Sequence, residues 1–253
     1  MKKPVHIFSC LLGLIVLIMA LPCAAKDDAA LAQIAQANDH YASSQYNEAA
    51  GLYQDLIDRG IKNGYLYYNL GNTYIRLGQI GPSILNYIRA KQLLPRDESL
   101  TANLNYAIQK TQDQLEPQSP GGMTAVFFWV NNFNQTEHLI FLLTINLLFW
   151  IALGAWTVHK TEFWNLARKT LMAFLFISAL SFGVKIYIDT ESITGVILAK
   201  EIPVKSAQGE DNVTLFQLHE GAVVSIIDRE NGWVQIKLND GKKGWEQEKF
   251  IGV

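Results

Sequence analysis

Three kinds of hydrophobic pattern divide this chain. From Leu139 to Val158 the sequence is uncharged and dominated by Leu, Ile, Phe and Trp, about the twenty residues a helix needs to cross a bilayer core. Thr170 to Ile188 is a second apolar run, interrupted by Lys185, whose long stem is expected to carry its ammonium toward the headgroups. Together they predict a hairpin of two transmembrane helices, 138–158 and 170–188. The loop 159–169 between them holds Lys160, Arg168 and Lys169; short loops rich in Lys and Arg stay in the cytoplasm, so both flanking segments face outward. Trp150, Trp156 and Trp164 lie toward the cytoplasmic half, and residues 117–137 form a linker and interfacial segment with Trp129 and Phe133 as anchors. Asn146 sits near the middle of the first span, where an amide needs a partner: Ser178, Ser181 or another protein's helix.

The N-terminus has a different apolar run. Lys2 and Lys3, then Leu11 to Leu21, then Cys23-Ala24-Ala25 read as a signal peptide over residues 1–25. Cys10 and Cys23 both fall inside it, so cleavage leaves a chain without thiols, which excludes disulfides, cysteine nucleophiles and cysteine metal sites.

Residues 26–116 carry apolar positions at helical spacing, and the pattern repeats. Ala37 aligns with Gly71, Tyr46 with Ile80, Ala49 with Ser83 and Tyr53 with Tyr87, each at an offset of about 34 residues. In the clearer second copy, Leu70, Gly71 and Tyr74 belong to one helix and Ser83, Tyr87, Ala90 and Pro95 to the next. Small residues there let two antiparallel helices approach, aromatics fill the space between them, and Pro95 ends the second. The first copy departs from the pattern at His40, Ser44 and Leu56. A capping helix with Leu100, Leu104 and Ile108 on one face follows. The array resembles the tetratricopeptide repeat family, whose members need about three repeats for stability.

Residues 193–253 alternate with period two. Val234, Ile236 and Leu238 face one way and Trp233, Gln235 and Lys237 the other, with turn signals at Arg229–Gly232 and Asn239-Asp240-Gly241. This predicts a small all-β barrel. The segments TGVILAKEIPVKS, TLFQLHEGAVVSII and NGWVQIKLNDGKKGWE, with Gly232-Trp233 and Gly244-Trp245, look like a bacterial SH3-like domain. Trp233 and Trp245 are its surface candidates for peptide or cell-wall binding, or else they fill a core that has little to spare.

Signal peptide, repeat array, two-span hairpin and SH3-like domain, in that order, are similar to the BatE family of bacterial aerotolerance-operon proteins. That resemblance implies a place in the inner membrane, in a stress-related complex with membrane-anchored von Willebrand factor A-type proteins and an ATPase. It supplies no catalytic residues.

Chemistry gives the same direction. The five histidines are scattered without metal-ligand spacing, and Gly-x-Ser-x-Gly and phosphate-binding glycine loops are absent. We therefore expect no enzyme activity, cofactor or metal. A net charge of −2 argues against nucleic acid. Binding remains, and the tetratricopeptide resemblance implies a concave groove lined by Asn38, Tyr41, Tyr65, Tyr68, Asn69, Asn72, Arg76, Asn103 and Tyr106. Amides and phenols there suit an extended peptide. Positions that would hold a terminal carboxylate carry Ile34, Ser99 and Asn103 in place of basic residues. The expected function is a membrane-anchored scaffold; an envelope sensor binding cell-wall peptide through Trp233 and Trp245 is the alternative.

Overall fold

The computed structural model describes residues 28–113, 115, 126–191 and 193–253. The expected signal peptide, with Cys10 and Cys23, lies outside them. The chain forms two compact units, one containing 126–188 and the other 27–125 together with 189–253.

The second unit begins with five helices: α1 (Asp28–Ala42), α2 (Tyr46–Asp58), α3 (Gly64–Arg76), α4 (Ile80–Leu93) and α5 (Glu98–Gln109). Their starts are written locally: the Asn63 side chain accepts from the Tyr65 and Leu66 amides, and Asp97 from that of Leu100, which satisfies donors a helix start leaves open. Close approach of α3 and α4 requires glycine, because a Cβ on Gly71 would lie 2.6 Å from the Tyr87 ring. Ser83 donates to the Gly71 carbonyl across the same contact at 2.9 Å. In the preceding pair, Ala37, Ala49, Tyr53 and Leu56 are fully buried together. The turns after α1 and α3 both use left-handed backbone, at Ser44 (φ 61°) and Gly78 (φ 74°). Ser44 thus adopts the glycine conformation without being glycine, at a cost of roughly 1–2 kcal/mol.

Seven strands follow: β1 (Ile193–Ile197), β2 (Glu201–Lys205), β3 (Thr214–His219), β4 (Val223–Glu230), β5 (Trp233–Lys237), β6 (Lys243–Gln247) and β7 (Ile251–Gly252). They form one antiparallel sheet in the order β3-β2-β6-β5-β4-β1-β7. Asn231 and Gly232, both at positive φ, make the tight turn between β4 and β5. Leu218 from one edge strand and Ile251 from the other share a buried cluster with Val204, Ile226, Val234 and Ile236. A single sheet brings both edges to one core only by curling.

The sheet is packed onto the helices. Val196 and Val223 join Ile84, Leu85, Leu100, Leu104 and Ile108 in one buried cluster. Glycine makes the fit possible: a Cβ on Gly221 would lie 2.5 Å from Thr111 Cγ2, and one on Gly252 would lie 2.5 Å from Leu85 Cδ2. Polar contacts fix the register. The Gly81 amide donates to Glu220 Oε1 at 2.9 Å, and the His219 amide donates to Asp113 Oδ2 at 2.7 Å, with its ring nitrogen 3.0 Å from Oδ1. Leu115 packs against the sheet's core. The sheet therefore covers apolar surface on α4 and α5 that two helix pairs and one further helix would otherwise leave to water, which is how so short an array is capped.

The other unit is an apolar hairpin. Helices α6 (Gln135–His159) and α7 (Glu162–Glu191) are both long and apolar enough to span a membrane. Asn134 and Glu137 close a capping box at the start of α6, and left-handed Lys160 (φ 51°) ends it. Because α7 starts at Glu162, residues 162–169, expected as loop, are helical: Arg168 stacks on Trp156, its guanidinium 3.9 Å from the ring centroid, with the Lys160 ammonium 5.0 Å from the same centroid.

At the opposite end, Trp129 Nε1 donates to Ser181 Oγ at 3.0 Å, Ser181 Oγ lies 3.5 Å from His138 Nδ1, and His138 Nε2 lies 3.1 Å from the Val130 carbonyl. Trp129 and Phe133, expected as interface anchors, here pack on the hairpin, Phe133 against His138 and Phe141. The bond expected from Asn146 to Ser178 or Ser181 is not formed. In an antiparallel hairpin that sets His138 beside Ser181, moving along one helix moves the opposite way along the other, so Asn146 stands level with Ala173. Asn146 is half-buried and has no partner among the described residues. Lys185, expected to reach for headgroups, is buried at 6% exposure.

The docking contact has a direct test. Gly221 and Gly60 share φ 85°, but only Gly221 faces a neighbour. Gly60→Ala should cost roughly the 1–2 kcal/mol of left-handed backbone, and Gly221→Ala an additional ~1–3 kcal/mol of overpacking. Thermal unfolding of the detergent-solubilised protein, followed by circular dichroism, checks this; equal losses would mean that the sheet contributes nothing to the array.

Candidate functional site

The inner helices α1, α3 and α5 present one side-chain arrangement twice. The buried Tyr53 hydroxyl donates to Asn38 Oδ1 at 2.6 Å, and Asn69 Nδ2 donates to the same oxygen at 3.1 Å. One repeat later, the Tyr87 hydroxyl donates to Asn72 Oδ1 at 2.7 Å and Asn103 Nδ2 to that oxygen at 2.9 Å. Each acceptor oxygen has both lone pairs occupied. Left over in each repeat are an amide donor, on Asn38 or Asn72, and an amide acceptor, on Asn69 or Asn103, without a partner among the described residues. A donor beside an acceptor at a regular interval matches what an extended backbone presents.

Tyrosine is suited to this place. Its ring fills the gap between paired helices while its hydroxyl reaches the edge of the groove. Burial pushes the Tyr53 phenol from its ordinary 10.0 up to about 12 and raises that of Tyr87 as well. Both therefore remain donors throughout the physiological range.

Two clefts run along this row. One of about 130 Å³ is lined by Asn38, Tyr41, Tyr53, Asn69 and Asn72. The other, about 340 Å³, is lined by Tyr41, Asn72, Ile75, Arg76, Tyr87, Asn103 and Tyr106. Shared Tyr41 and Asn72 make them one continuous groove. Seven of the nine expected groove residues line it. Tyr68 stands behind, its ring 6.0 Å from that of Tyr87 and its hydroxyl accepting from Asn103 at 3.0 Å. Tyr65 lines neither cleft and is 59% exposed. Sequence reasoning missed Ile75 and treated Tyr53 and Tyr87 as packing alone; their offset of about 34 residues from each other, matched by that of Asn38 and Asn72, was the available signal.

On the sheet, Trp233 pairs with Gln247 and Trp245 with Gln235, which places both tryptophans on the face opposite buried Val234 and Ile236. Both are half-buried. They do not fill the sheet's core. Glu246 points inward instead, and burial raises its pKa; one carboxylate oxygen has no partner among the described residues. No group of three His, Cys, Asp or Glu placed to hold a metal ion occurs among the described residues.

The tyrosine–asparagine layer should be sensitive to alkali. The folded protein holds the Tyr53 proton to a higher pH than the unfolded chain does, so the stabilisation is complete below pH 10.0 and is lost as pH climbs through about 12. Absorbance titration near 295 nm should show Tyr53 and Tyr87 ionising after the exposed tyrosines, together with unfolding, and a Tyr53→Phe, Tyr87→Phe variant should lose that late phase. Each hydroxyl removed should cost about 1 kcal/mol at neutral pH. No protein-family model matches the chain and no curated protein matches it, so the assignment of this groove rests on its own geometry and chemistry.

Proposed function

We propose that this chain is a membrane-anchored, non-catalytic scaffold of the bacterial envelope, whose tetratricopeptide-like array captures an extended segment of a partner protein. The observation that carries this reading is the twice-repeated Tyr–Asn–Asn hydrogen-bond set, which leaves a free amide donor and acceptor per repeat along one groove. Peptide groups are recognised by such pairs, and the flanking tyrosines add apolar contact.

In this reading α6 and α7 span the inner membrane. Lys160, Arg168 and Lys169 cluster at the hairpin turn, which favours a cytoplasmic turn with the array and the SH3-like sheet on the outer side. The order of parts supports membership of a BatE-like complex in aerotolerance or envelope stress, with von Willebrand factor A-type membrane proteins as partners. A second reading has an observation of its own: Trp233 and Trp245 lie on the outer face of the sheet, where they can contact cell-wall peptide.

One experiment tests these together. A membrane-impermeant amine-reactive crosslinker is applied to spheroplasts, and attached proteins are identified by mass spectrometry. The native chain should capture a specific envelope protein, and Asn72→Ala with Asn103→Ala should lose it. Retention in that variant, with loss in Trp233→Ala, Trp245→Ala, moves the function to the sheet. No capture on the outer side, with capture by a permeant reagent, reverses the topology.

A further inference from the structure

We propose that the end of the groove at Arg76 and Lys110 is an acidic-segment subsite, selecting partners that carry two carboxylate side chains two residues apart; this rests on the groove reading above. Arg76 closes α3 and Lys110 follows the last residue of α5. They are about 34 residues apart and therefore occupy equivalent positions on successive inner helices. Arg76 lines the larger cleft, whose other lining residues are neutral. Its guanidinium is exposed, and Tyr41 lines the same cleft. The Lys110 ammonium stands 5.1 Å over the ring of Tyr106, another cleft residue.

Neither cation has a carboxylate partner among the described residues. Three other cations of the array are engaged: Arg59 with Asp55, Arg89 with the Val253 carbonyl, and Lys91 with Thr101; Lys62 stands exposed in the turn before α3, away from the cleft lining. The helix dipole favours a positive side chain at both positions. It does not supply a counter-ion, and the cleft is left with positive charge and no acid to offset it.

Spacing identifies the ligand. Packed helices lie about 8–10 Å apart, too far for one carboxylate to bridge cations on two of them in comfortable geometry. An extended chain advances about 3.3 Å per residue with alternate side chains on one face, so side chains two residues apart face the same way and, with their own reach, meet both. The occupant is therefore a stretch of the form acid, one residue, acid, with an apolar side chain against Ile75 and Tyr41. A free chain terminus is disfavoured, because Ile34, Ser99 and Asn103 supply no charge elsewhere in the groove to hold the terminal carboxylate.

The test is selection from a phage-displayed random dodecamer library on the full-length protein in detergent micelles, run in parallel on Arg76→Glu, Lys110→Glu and on Asn72→Ala, Asn103→Ala. Both mutated cations are polar rim positions, and circular dichroism verifies the fold of each variant. Clones enriched on the native protein should carry paired Asp or Glu at the stated spacing, bind at least tenfold more weakly to the charge-reversed variant, and weaken with added salt. If clones depend on Asn72 and Asn103 but lack acid enrichment and bind the charge-reversed variant equally, this proposal falls and the groove reading stands. If no clone depends on Asn72 and Asn103, both fall.

Discussion

A tyrosine hydroxyl that is buried must still be bonded, and in this array that requirement sets the position of the four groove asparagines. Tyr53 and Tyr87 are driven inside by their rings, which pack against small residues on the facing helix. Leaving either hydroxyl unpaired would cost on the order of 1–3 kcal/mol. Asn38 and Asn72 supply the acceptors, and Asn69 and Asn103 complete their coordination from the next inner helix. The same bonds that satisfy the core fix the orientation of four amides at the surface. Preorganised amides lose little freedom on binding, which is where an open groove gains affinity.

Holding that groove in shape is the work of the sheet. Val196 and Val223 enter the cluster beneath α4 and α5, while Gly81–Glu220 and Asp113–His219 tie the edges. Helices and sheet form one unit. A ligand on the outer face of β5 and β6 and a ligand in the groove would therefore be held at a fixed geometry, a stronger constraint than two modules on a flexible linker provide.

The elements were largely legible in the sequence because each follows a short-range rule. Small and aromatic residues at a fixed period gave the helix pairs, alternation around Val234, Ile236 and Leu238 gave the strands, and uncharged runs gave α6 and α7. What escaped depends on residues far apart in the chain. Nothing local to Gly221 or Gly252 says that Thr111 and Leu85 occupy the space a side chain there would need. The level of Asn146 follows from hairpin register, which hydropathy does not encode, so neither Ser178 nor Ser181 is its partner, and another protein's helix is the expected partner that remains. Charge alone places Lys185 at the headgroups, whereas tertiary burial encloses it. In the groove, residue types are readable and their bonding is not: Tyr65 fits the same pattern as Tyr68 yet lines neither cleft.

Site-specific photocrosslinking in living cells tests the central claim most directly. A benzophenone side chain is placed in turn at Tyr41, Tyr106 and Tyr65. If the groove holds an extended segment, Tyr41 and Tyr106 will capture neighbouring stretches of one partner chain, and Tyr65, exposed but outside the clefts, will capture none of it. Capture of the partner from Tyr65 with nothing from Tyr41 or Tyr106 would contradict the account.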